Sequence, residues 1–108
     1  MEVSGRVTRI EKKLPSGEPY PSDLQGAPAM FEITAMIQEA DGSEVERIIT
    51  YIAYPPSPVG DAQRERIRLR FHEGTIKSGH HIKARGTFDP QTNTIRVGTQ
   101  GDFIETSF

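Results

Sequence analysis

The residue pattern of this chain predicts an all-β domain of five or six strands, and three observations carry that reading. Apolar and polar residues alternate with a period of two over several stretches, which in extended backbone sends them to opposite faces. Turn and breaker residues, among them eight prolines and ten glycines, punctuate those stretches. Gly5 and Gly86 fall in mid-strand, where a sharply coiled, closed sheet needs a residue without a side chain. At 108 residues the chain has material for a single domain, 1–108, with one modest core.

Residues 3–13 read as the first strand, with Val3, Gly5 and Val7 at one parity and Arg6 and Thr8 at the other. Ile10 breaks the parity, so a bulge is expected near Arg9. Residues 14–29 form a long loop in which Pro15, Pro19, Pro21 and Pro28 withhold ladder donors. A connection of that length in a small domain is usually functional or poorly ordered. Residues 30–40 read as the second strand, with Phe31, Ile33, Ala35 and Ile37 inward. Asp41 and Gly42 predict a tight hairpin turn with positive φ angles. Residues 44–54 form the third strand, apolar at both parities from Ile48 onward, which predicts cover on both faces; Pro55, Pro56 and Pro58 end it.

The stretch 64–72 places Arg64, Arg66, Arg68, Arg70 and His72 at one parity and Glu65, Ile67, Leu69 and Phe71 at the other. As a strand it buries the apolar set and lines four guanidinium groups on the outside. As a helix capped by Asp61 it sets Ile67 and Phe71 one turn apart but leaves Leu69 off the stripe. Both readings stay open, so there is room for one short helix between the third and fourth strands. After a turn-rich connection, 80–88 reads as a strand with Ile82, Ala84, Gly86 and Phe88 inward and His81, Lys83, Arg85 and Thr87 outward. A hairpin loop at 89–93 leads to a last strand at 94–98 carrying Ile95 and Val97.

The net charge of −2 by itself argues against a bulk nucleic-acid binder. Its distribution argues otherwise. Residues 62–86 hold seven basic against two acidic side chains, net +5, while the rest, with six basic and thirteen acidic, carries −7. A column of arginines is held against its own repulsion and points to a polyanionic partner. The plain alternative is that the two halves neutralise each other across strand pairs.

Other chemistry finds little support. The absence of cysteine excludes a disulfide framework and thiolate-bound zinc, and fits a reducing compartment. No apolar run approaches the roughly 20 residues of a membrane span, and the first residues do not resemble a secretion signal, so a cytoplasmic setting is expected. His80 and His81 are adjacent and point to opposite faces of a strand, so they do not share a metal with His72 and Glu73. Lys77 and Ser78 lack the glycine spacing of a phosphate loop, and no nucleophile elbow occurs. The expectation is a protein without enzymatic activity or cofactor.

The run from Ser78 through Gly79, His80, Ile82, Ala84 and Gly86 to Phe88, followed by Asn93, Ile95 and Val97, resembles the fourth and fifth strands of the oligonucleotide/oligosaccharide-binding (OB) fold superfamily. There a G-D-x-(V/I)-x-(V/A)-x-G strand turns back into an N-x-I-x-V strand; His80 stands where the aspartate is common. The resemblance implies a small Greek-key barrel whose binding face lies on the middle strands, flanked by loops 14–29 and 89–93. Carried onto this chain, single-stranded nucleic acid would be the partner. Arg64, Arg66, Arg68, Arg70, Lys83 and Arg85 would meet phosphates, and Tyr20 and Tyr54, with Tyr51 a weaker candidate, would stack on bases. A second reading is a protein-interaction or homo-oligomeric assembly module. In it Ile48, Ile52 and Tyr54 form an apolar outer face, and the arginines pair with Glu44 and Glu46 of a neighbour.

Overall fold

A computed structural model of the chain describes residues 1–24, 27–53, 68–70 and 76–107. Its strands are β1 (Glu2–Lys13), β2 (Ala29–Gln38), β3 (Glu44–Ala53), β4 (Arg68–Arg70), β5 (His81–Arg85), β6 (Thr87–Asp89), β7 (Thr94–Val97) and β8 (Phe103–Ser107). They pair in the order β4-β8-β5-β1-β2-β3-β7-β6. The β3–β7 and β4–β8 pairs are parallel and the others antiparallel. The chain is all-β: no helix occurs among the described residues.

Alternation builds the core. Val3 and Val7 of β1, Ile33, Ala35 and Ile37 of β2, Ile49 of β3, Ile82 and Ala84 of β5, Ile95 and Val97 of β7 and Ile104 of β8 are all buried in one cluster. Tyr51 joins them, stacked on Phe31 with ring centroids 5.3 Å apart, so it belongs to the interior and offers no surface platform. The register of β1 against β2 shifts between Val7 and Arg9, which returns Ile10 to the inner face opposite Ile33.

Two glycines permit close approach between strands. At Gly5, β1 passes from pairing with β5 to pairing with β2, and a Cβ there would fall on the Met36 carbonyl oxygen. At Gly86 a Cβ would fall on the Arg96 carbonyl oxygen. Gly86 is also the one residue between β5 and β6, and its amide and carbonyl both bond to Met1 at 2.9 Å. The predicted strand at 80–88 is therefore a single path broken at its glycine: the first half pairs with β1 and β8, the second with β7.

Several expectations need adjustment. The turn at Asp41-Gly42 is a longer loop, 39–43, closed by the Glu39 amide donating to the Ser43 carbonyl at 2.8 Å. Only Gly42 has positive φ there, 88°, because the Asp41 carboxylate accepts from both the Ser43 amide and hydroxyl and holds the turn. The strand at 94–98 is not the last. β8 follows it through a turn at 98–102, so the described residues hold eight strand segments where five or six strands were expected of the chain. Phe88 faces inward as expected but is only half-buried, packed against the edge of the core. Of the arginine-rich stretch, Arg68–Arg70 is strand; Arg64, Arg66 and the remainder of the helix-or-strand question lie outside the described residues.

Candidate nucleic-acid interface

Register sets residues of neighbouring strands on common rungs. Ser107, His81, Arg6, Met36 and Glu46 share one rung across β8, β5, β1, β2 and β3. On the next, Arg70, Glu105, Lys83 and Ser4 line up, and on the third Arg68, Phe103, Arg85 and Glu2. The predicted residues Arg68 and Arg70 thus share rungs with Arg85 and Lys83, but β8 intervenes. The backbones of β4 and β5 are two strand spacings apart, about 10 Å.

The exposed cations at this end differ from those elsewhere in how they are partnered. Arg9 pairs with Glu11, Lys13 bridges Glu11 at 3.3 Å and Glu32 at 3.0 Å, and Arg96 meets Asp89 at 2.9 Å. Arg6 and Arg85 make no ion pair with any described residue, and the exposed imidazole of His81 shares the rung of Arg6. Lys83 reaches only Glu2, at 3.4 Å, with both side chains more than half exposed. An exposed pair of that kind contributes well under about 1 kcal/mol and yields readily to a phosphate. The arrangement is an open cationic strip on β1 and β5.

Beside the strip lies a concavity of about 520 Å³. Ser4, Gly5 and Arg6 of β1 form its floor. His81 and Lys83 of β5 with Glu105, Thr106 and Ser107 of β8 form one side, and Met36, Gln38 and Glu44 of the β2–β3 hairpin form the other. The hairpin side is acidic, since Glu46 lies one residue pair beyond Glu44 and Glu39 and Asp41 occupy the loop.

Tyr20 is half-buried in the first loop; its hydroxyl donates to the Ala27 carbonyl at 3.1 Å and Lys12 covers its ring at 4.3 Å. Tyr54 lies outside the described residues. Of the proposed apolar outer face, Ile48 and Ile52 are half-buried, and the exposed large apolar side chains among the described residues are Met1 and Leu24. No group of three potential metal ligands converges among the described residues, and none of the helices a membrane span would need is found there.

Sequence reasoning missed three residues. Arg6 and His81 were legible only as polar strand positions, since their adjacency depends on β1 pairing with β5. Arg47 was detectable: it shares parity with Val45, Ile49 and Tyr51, and a charge at an inward position demands partners. It finds them in two loops. Nη1 donates to Asn93 Oδ1 and Nη2 to Glu39 Oε1, both at 2.9 Å, and the guanidinium lies 4.6 Å over the Phe88 ring. Asn93, at φ 53°, also donates to the Glu46 carbonyl at 2.7 Å. At 98–102 the buried Asp102 carboxylate accepts from the Gly98 and Thr99 amides and the Thr99 hydroxyl, at 2.9 to 3.0 Å. Burial pushes its pKa up, but those three donors and the attraction of Arg85 outweigh it, leaving the carboxyl below its ordinary value.

Searches of protein-family models, curated proteins and solved structures return no match for this chain.

Proposed function

We propose that this chain is a non-enzymatic OB-type barrel that binds single-stranded nucleic acid through its phosphates. The pairing supports the barrel: β1 meets β2, β2 meets β3, β3 meets β7, β7 meets β6, and β6 continues through Gly86 into β5, which meets β1. Each of those links is a hydrogen-bonded strand pair except the step from β6 to β5, which is made by the backbone through Gly86. In this assignment β5 with β6, and β7 with β8, are the fourth and fifth barrel strands, each interrupted once.

The observation that carries the binding reading is the strip of Arg6, His81, Lys83 and Arg85 on adjacent strands, whose one ion pair among the described residues is the exposed Lys83–Glu2 contact at 3.4 Å, whereas Arg9, Arg47, Arg96 and Lys13 each meet a carboxylate at closer range. Arg68 and Arg70, on the same rungs beyond β8, extend it. Phosphate oxygens supply what these groups lack. A fluorescently labelled oligonucleotide titrated at several salt concentrations tests the proposal. With about five phosphates neutralised on a single strand, log affinity falls against log salt with a slope of roughly −3.5. No binding at about 50 mM salt, or binding indifferent to salt, overturns it.

A further inference from the structure

The concavity beside the strip is polarised, and its polarity says more than that a polyanion binds. Arg6, His81 and Lys83 stand on the β1–β5 side, with Glu105 of β8 beyond them, whereas Gln38 and Glu44 stand on the hairpin side with Met36 next to them and no basic residue among the lining there. A phosphate cannot lie equally against both, because a carboxylate repels it. We infer that a single strand lies with its phosphates along β1 and β5 and turns a base toward the hairpin, where Glu44 and Gln38 read the base edge and so favour bases carrying an exocyclic amino group. The inference rests on the nucleic-acid reading above and names the discrimination that the same surface would exert.

Each part follows from the chemistry of the side chains. A carboxylate only accepts hydrogen bonds, so Glu44 matches the N4 amino group of cytosine and opposes the O4 carbonyl of thymine at the equivalent edge. Gln38 can accept from that amino group through its carbonyl or donate to a thymine carbonyl through its amide, so it holds the base edge while Glu44 carries the discrimination. Met36, half-buried between them and the floor, gives the base face an apolar, polarisable contact. The volume of about 520 Å³ accommodates a nucleotide. The acidic side, which weakens a purely electrostatic binder, here becomes the reading edge.

The test compares oligo(dC) with oligo(dT), each of about twelve nucleotides, on the full chain and on Glu44→Ala, with Gln38→Ala as a second variant. Both positions are exposed, so the variants fold, and circular dichroism verifies it. The wild-type chain is expected to bind oligo(dC) about fivefold more tightly than oligo(dT), roughly one net hydrogen bond's worth. Glu44→Ala is expected to bring that ratio close to one, and Gln38→Ala to weaken both oligonucleotides while keeping it. Equal wild-type affinities, or a Glu44→Ala variant that tightens both oligonucleotides alike and keeps their ratio, overturn the base-reading inference while nucleic-acid binding stands. Failure of the wild-type chain to bind either oligonucleotide at low salt overturns both.

Discussion

Replacing Arg47 by alanine removes a side chain that ties the β2–β3 loop to the β6–β7 loop. The structure lets the loss be estimated. Two hydrogen bonds disappear, to Glu39 and to Asn93, each charge-assisted but partly exposed and so worth about 1 kcal/mol. The cation–π contact over Phe88 adds about 0.5–1 kcal/mol, and the truncated stem leaves the half-buried ring more open to water. The sum is about 2.5 kcal/mol. For a two-state domain of this length, about 4–5 °C of Tm accompanies each kcal/mol, so scanning calorimetry should show Tm falling by about 10 °C. Arg47→Lys keeps the charge but loses the planar fork, and should recover less than half of the deficit. A decrease under about 2 °C for Arg47→Ala would refute the claim that an inward arginine holds these loops together.

Gly86→Ala sets a methyl group against the Arg96 carbonyl where backbone cannot move aside cheaply; it should destabilise by about 3 kcal/mol or more, read as a lowered denaturant midpoint, and a near-neutral variant would contradict the close approach. Asp102→Asn should reduce stability by about 1–2 kcal/mol at neutral pH, since an amide offers a weaker acceptor to three donors. The Asp102 pKa is depressed in the folded chain, so its stabilisation is complete above the unfolded value near 3.9 and is lost as pH falls through the folded value. The gap between the two proteins in urea titrations should therefore close only below about pH 4; a gap constant down through that range would count against the carboxylate's role. Lys83→Glu combined with Arg85→Glu should abolish oligonucleotide binding while leaving Tm within a few degrees, and retained binding would move the interface elsewhere.

What the sequence by itself determined is local. The inward sets of β1, β2, β5 and β7, and the bulge that restores Ile10, follow from a period of two and its one interruption. The mid-strand glycines were legible as places of sharp coiling; what the structure adds is that each lies against a carbonyl of a neighbouring strand, with no room for a Cβ. β8 was illegible because Phe103 and Ile104 are consecutive and both buried, so no alternation marks the strand. The candidate site was divided in the same way. Lys83 and Arg85 were visible as outward neighbours on one strand, but Arg6 joins them only through pairing between segments some eighty residues apart. Likewise, only register places Arg68 and Arg70 on their rungs with β8 between, and only the pairing of β1 with both β5 and β2 brings Arg6 and Lys83 to one concavity with Glu44. Alternation reports which face a side chain takes, a property of its own strand. Which charges become neighbours depends on strand order and register, and those are settled by how the whole core packs.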